Sequence, residues 1–150
     1  MKALYAGSFD PFTIGHLDIV KKALEIFEEL IIGIGHNEHK HPFLPLEDRL
    51  QTISSLFKDE PRVKVEVYSG LTAEFAAKTG AKVLVRGLRN TLDFIKEKEL
   101  ADINLKVLGV PTVFLPCDPN LEYVSSSMVR ELIHNNHDAA EFLPANKKCF

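Results

Sequence analysis

The sequence has little of what would place it outside the ordinary globular classes. It has two cysteines, Cys117 and Cys149, far apart in the chain. They form no metal-ligand spacing and no disulfide framework is expected, so a reducing cytoplasm fits. No apolar run approaches the roughly 20 residues that cross a bilayer, so no membrane role is expected. An excess of positive charge is missing too: 18 Lys and Arg stand against 21 Asp and Glu, a formal net charge of −3. A general nucleic-acid binder needs a basic surface to neutralise phosphates, and that class is set aside. Nothing repeats, no segment is of low complexity and no linker is visible. The run before Gly7 lacks the apolar core and cleavage site of a signal peptide and reads as a first strand.

What is present is a balance of 45% hydrophobic and 26% charged residues over 150 positions, which predicts one globular domain over 1–150. Short apolar runs alternate with amphipathic segments. Strands are predicted over 2–6, 30–34, 63–68, 82–85 and 111–115. Helices are predicted over 16–27, from Pro45 through Phe57, over 71–78 with a stop at Gly80, over 91–106, and after 125–127 around Val129, Leu132 and Ile133. The helix over 91–106 has Leu92, Ile95, Leu100, Ile103 and Leu105 among its apolar positions. Strands alternating with helices imply an α/β fold, a doubly wound parallel sheet with helices on both faces. Such sheets bind ligands beyond the carboxyl ends of their strands, where the strand order reverses.

The first strand runs into Gly7-Ser8-Phe9-Asp10-Pro11-Phe12-Thr13-Ile14-Gly15-His16. Gly7 allows close backbone approach, Asp10-Pro11 forces a turn, and Gly15-His16 sets an imidazole at a helix N-terminus, where free N–H groups favour an anion. A lone Gly-His pair is more often a capped strand-to-helix turn, and it is the full ten-residue spacing that points to a ligand. At the end of the fourth strand stands Val85-Arg86-Gly87-Leu88-Arg89. Two guanidiniums bracketing a glycine can grip phosphate bidentately, although an isolated pair of this kind is as readily a solvated surface. The run Val124-Ser125-Ser126-Ser127-Met128-Val129-Arg130 opens the last helix, with hydroxyls and N–H groups suited to phosphate oxygens or to simple capping. Arg130 adds charge there or pairs along its own helix face. The loop His36-Asn37-Glu38-His39-Lys40-His41-Pro42-Phe43 holds three histidines without zinc-site spacing or a helping cysteine, so no metal site is assigned. The stretch 69–75 reads by itself only as a helix start.

Taken in chain order over residues 1 to about 145, these motifs resemble the T/HxGH nucleotidyltransferase α/β-phosphodiesterase superfamily. The threonine variant at Thr13-Ile14-Gly15-His16, with the Arg86-Gly87-Leu88-Arg89 and Ser125-Ser126-Ser127 motifs, is similar to the bacterial phosphopantetheine adenylyltransferase family. The resemblance implies a Rossmann-like five-stranded sheet of order 3-2-1-4-5 in a homohexamer. It implies transfer of AMP from ATP to 4′-phosphopantetheine, giving dephospho-coenzyme A and pyrophosphate, with magnesium carried by the nucleotide phosphates and coenzyme A as a possible feedback inhibitor. By the same resemblance His16, Ser8, Lys40, Arg86 and Arg89 serve the chemistry. ATP is met by Ser8, Phe9, His16, Gly87, Leu88, Arg89 and Glu97. Tyr123, Val124, Ser125, Ser126 and Ser127 line it further, the last two at its β- and γ-phosphates. Ser8, Lys40, Leu71, Thr72 and Arg86 face the phosphopantetheine. Where the family usually reads D-F-E-Y-E, this chain reads Asp93-Phe94-Ile95-Lys96-Glu97, a departure that touches helix packing, subunit contacts and any feedback site. The alternatives are another adenylyl- or cytidylyltransferase of the superfamily, acting on nicotinamide mononucleotide or glycerol phosphate, and a nucleotide-binding regulator without catalysis.

Overall fold

The computed structural model describes residues 1–145; Cys149 lies outside them. Five strands, β1 (Lys2–Gly7), β2 (Glu29–Gly35), β3 (Val63–Tyr68), β4 (Val83–Leu88) and β5 (Thr112–Pro116), form one sheet of order β3-β2-β1-β4-β5. Every pairing is parallel. The helices between them are α1 (Ile14–Ile26), α2 (Leu46–Leu56), α3 (Thr72–Thr79) and α4 (Thr91–Leu108), with α5 (Ser126–His134) after β5. Among the described residues no helix is long and apolar enough to cross a membrane.

The period-two alternation of β1 explains the layering. Ala3 and Tyr5 join a core with Ile19, Val20 and Ala23 of α1 and Ile53 of α2. Leu4 and Ala6 join the opposite core with Ala73, Phe75 and Ala76 of α3. Both faces of the central strand are covered, which is why its apolar run is nearly continuous. The chain leaves β1 towards β2 and β3, then crosses back to place β4 on the other side of β1. That reversal opens a crevice beyond the carboxyl ends of β1 and β4.

Two sequence expectations are corrected. The fourth strand does not stop at Val85: Arg86, Gly87 and Leu88 pair with Phe114, Leu115 and Pro116 of β5, so the arginine–glycine motif begins inside the sheet. Pairing with a neighbour carried the strand past its apolar run, which a single-segment reading does not see. Ser126 and Ser127 do not precede the last helix but form its first turn, with Ser125 as the N-cap accepting from the Met128 N–H. Helix α4 buries none of its residues in this chain; Leu92, Ile95, Leu100, Ile103 and Leu105 are all more than half exposed.

Candidate active site

A cleft of about 300 Å³ lies at the predicted crevice. The β1–α1 turn supplies Ser8, Phe9 and His16, and β4 with its exit supplies Arg86, Gly87 and Arg89. Glu97 comes from α4, and Val124 with Ser125, Ser126 and Ser127 from the entry to α5. Eleven positions expected from sequence motifs therefore meet in one hollow, although they come from segments up to 119 residues apart.

His16 is fixed by its own helix. Thr13 is the N-cap of α1, and its Oγ1 accepts from the His16 N–H at 3.4 Å. In return the Thr13 N–H donates to His16 Nδ1 at 2.9 Å, closing a reciprocal capping box in which the histidine takes the place of the usual Glu or Gln. Nδ1 is thus an acceptor, and the neutral ring carries its proton on Nε2. The rings of Phe9 and Phe12 stand 5.2 and 5.3 Å from it, centroid to centroid. Burial, with the charges of Arg89 and Arg86, pushes the imidazole pKa down from 6.5 to about 4. The free protein therefore presents a neutral N–H donor to the cleft at physiological pH. Burial also raises the pKa of the Tyr5 hydroxyl, which stays protonated beside the site.

The two arginines are each held by an acid of α4. Arg86 donates through Nε and Nη2 to the two carboxylate oxygens of Glu97, both at 2.6 Å, and through Nη1 to the Ala6 carbonyl. Arg89 donates through Nε to Asp93 at 3.0 Å and through Nη2 at 3.2 Å. These planar forks match carboxylate geometry, and phosphate presents the same geometry. Between them, Gly87 has a packing role of its own. A Cβ there would lie 2.8 Å from Cγ1 of the core residue Ile19, so only glycine lets β4 and α1 approach this closely.

The β1–α1 turn is tied down from outside. Ser126 Oγ donates to the Pro11 carbonyl at 2.8 Å, and Arg130 Nη1 to the Asp10 carbonyl at 2.7 Å. Arg130 also donates to Ser127 Oγ at 3.1 Å, so its partners are a carbonyl and a hydroxyl rather than a helix-face acid. The Asp10 carboxylate accepts from the N–H groups of Phe43 and Leu44, both at 2.7 Å, which anchors the end of the histidine-rich loop.

Lys40 stands apart from the main cleft. It is exposed and borders a second hollow of about 470 Å³, together with His36, Arg49 and Arg130. Ser8 borders both hollows and forms the partition between them. Four expected residues border neither. Leu88 ends β4, with its carbonyl accepting from the Cys117 N–H. Leu71 is 59% exposed ahead of α3, and Thr72 Oγ1 lies 2.8 Å from the Tyr68 hydroxyl. Tyr123 is 63% exposed and packs edge-on against Phe142. Sequence reasoning missed Arg49 and the roles of Asp10 and Asp93 as anchors. Asp93 carried a signal, four residues after Arg89 across a helix start; Arg49 carried none.

A parallel sheet of this order, with a capped histidine, paired arginines and a serine-rich helix start around the reversal crevice, defines a nucleotidyltransferase. The family described as Cytidylyltransferase-like matches residues 4–132. A phosphopantetheine adenylyltransferase of Bacteroides thetaiotaomicron is 48% identical over 143 residues, covering 95% of each chain. One of Porphyromonas gingivalis is 49% identical over 142 residues, covering 95% of this chain and 93% of that one. The chain belongs to the phosphopantetheine adenylyltransferase family. A bifunctional NMN adenylyltransferase/ADP ribose pyrophosphatase from Francisella tularensis shares the fold, with a TM-score of 0.75 at 17% identity over 97% of this chain and 45% of its own.

Proposed function

We infer that this enzyme transfers the adenylyl group of ATP to the phosphate of 4′-phosphopantetheine, releasing pyrophosphate and dephospho-coenzyme A. The observation that carries the reading is the neutral Nε2–H donor of His16, which lines one cleft with the two arginines and the α5 serines. A phosphate monoester dianion is already a competent nucleophile, so the reaction needs no general base and no covalent intermediate. It needs two anions held in line and charge stabilised on the α-phosphate.

His16 donates to the α-phosphate oxygen as charge builds there. Ser8, as the partition between the hollows, meets both that phosphate and the incoming one. Lys40 and Arg86 offset repulsion on the acceptor side, with Leu71 and Thr72 beside the pantetheine arm. Phe9, Gly87, Leu88, Arg89 and Glu97 meet the nucleotide, and Tyr123, Val124 and Ser125 flank it. Ser126 and Ser127 take its β- and γ-phosphates at the N-terminus of α5.

Magnesium suits this site when it arrives on the nucleotide. Among the described residues no group of three or more His, Cys, Asp or Glu can hold an ion, and Asp93 and Glu97 are both engaged by arginines. Brought in with the nucleotide, the metal would supply neutralisation of phosphate charge. The exposed apolar positions of α4 support association of copies, which we read as a hexamer, and coenzyme A is the feedback ligand to test. The cysteine usage supports a cytoplasmic setting.

Pyrophosphate release from ATP, measured with 4′-phosphopantetheine, nicotinamide mononucleotide and glycerol phosphate in turn, tests the reading. Turnover with 4′-phosphopantetheine is expected. Turnover with another acceptor alone overturns the substrate, and ATP binding without release for any acceptor overturns the catalysis.

A further inference from the structure

Arg49 lies on α2, outside every motif that the sequence displayed, and is 3% exposed. Its Nη1 donates to the Ser8 carbonyl at 2.7 Å, and its Nε is buried without a hydrogen-bond partner. No carboxylate stands within 4.0 Å of it among the ion pairs of the described residues. The nearby Asp10 carboxylate is occupied by the Phe43 and Leu44 N–H groups. The turn that meets the substrates thus rests on a buried cation that borders the second hollow and has no direct ion-pair partner among the described residues. Burying a charge without a direct partner is unfavourable, and holding one carbonyl does not require it, since a neutral donor would do that.

The geometry of one peptide unit shows what the contact accomplishes. The Ser8–Phe9 peptide is trans, so its carbonyl and its N–H point in opposite directions. With the Ser8 carbonyl drawn to Arg49, the Phe9 N–H is turned away from α2. Phe9 borders the main cleft, and its N–H has no partner among the described residues. Phe9 also holds a left-handed backbone with φ of 47°, a conformation that a bulky residue keeps only when its surroundings impose it.

We propose that Arg49 is a positioning residue for the transfer: through the Ser8 carbonyl it aims the Phe9 N–H at the phosphates in the main cleft, and the polyanion bound across the Ser8 partition supplies the negative charge with which Arg49 makes no direct ion pair. This rests on the function inferred above. It accounts together for the buried cation, the strained Phe9 and the unpaired N–H.

Three variants test it by steady-state pyrophosphate release and by thermal melting with and without ATP. Arg49→Met is expected to lower kcat about 10- to 100-fold. Its melting temperature without ligand stays within about 3 °C of the wild type, because the lost hydrogen bond is offset by the relief of an uncompensated charge. The rise in melting temperature given by ATP is expected to fall by half or more. Arg49→Lys keeps a cation and a donor and is expected to hold kcat within fivefold. Arg49→Gln keeps a donor without the charge and decides the matter if the Met variant does not fold; its ATP-induced shift should shrink like that of Arg49→Met. A kcat within threefold of wild type in a folded Met variant, or an undiminished ATP shift in the Gln variant, overturns the proposal. A lysine variant as impaired as the methionine one does so too. Wild-type protein that releases no pyrophosphate would instead overturn the inferred function, and the ATP shifts would still judge Arg49.

Discussion

The backbone N–H of Thr13 donates to Nδ1 of His16, and this one contact sets both the tautomer and the aim of the ring. With Nδ1 occupied, Nε2–H is the donor that remains for a ligand. The ring is held on a helix rather than a loop, so its position changes little when substrates arrive.

His16→Ala removes that donor from the transition state. Loss of one such group lowers kcat by about 10²–10³. ATP affinity should change far less, because Arg89 and the α5 serines remain. Stopped-flow pyrophosphate release beside calorimetric ATP titration would separate the two effects, and near-normal kcat in this variant would remove His16 from the chemistry.

The same histidine makes stability depend on pH. Its pKa is lowered from 6.5 to about 4 on folding, so between these values the unfolded chain binds a proton that the folded one refuses. The contribution is therefore present above pH 6.5 and is lost as pH falls towards 4. At about 1.4 kcal/mol per pKa unit the loss is on the order of 3 kcal/mol. Across that window the wild type should lose stability relative to His16→Asn as pH falls, read as the change in the difference of their urea midpoints, and parallel curves would contradict the assignment.

Arg86→Lys should cost about tenfold or more in kcat/KM. One ammonium cannot span both oxygens of Glu97 and the Ala6 carbonyl as the guanidinium does. Titration with 4′-phosphopantetheine should show the larger change in its KM, with that for ATP less affected.

Gly87→Ala tests packing rather than charge. The added methyl meets Ile19 inside the core, and overpacking of this kind costs about 1–3 kcal/mol. Differential scanning calorimetry should register a lower melting temperature with ligand absent, and an unchanged one would mean that α1 and β4 can part at no cost.

Association is expected to run through α4. Sedimentation should find an oligomer, and Leu100→Glu, in the middle of the exposed stripe, should reduce its mass. A monomeric wild type would leave those side chains uncovered.

Much of this was readable in the chain. The strands and their alternation with helices follow from local pattern, and the clustering of His16, Arg86 and Ser127 follows from the sheet order that the family resemblance implied. What was hidden is tertiary. Arg86 through Leu88 became strand because β5 lay alongside to pair with them. Arg49 sits in an unremarkable stretch of an amphipathic helix, and only the fold brings it 2.7 Å from a carbonyl 41 residues earlier. Asp10 suggested a turn, and its carboxylate instead clasps a loop more than 30 residues away. The engagement of both cleft arginines by acids was equally invisible, since charge counts do not reveal who pairs with whom.

Helix α4 joins two of these threads. Asp93 and Glu97, which hold the arginines, lie on a helix that has no fully buried residue within its own chain. Neighbouring copies that cover its apolar side would stiffen the struts behind the two cleft arginines. Specific activity would then fall on dilution by mass action before any strand of the sheet unravels, and competence would belong to the assembly rather than to each subunit alone.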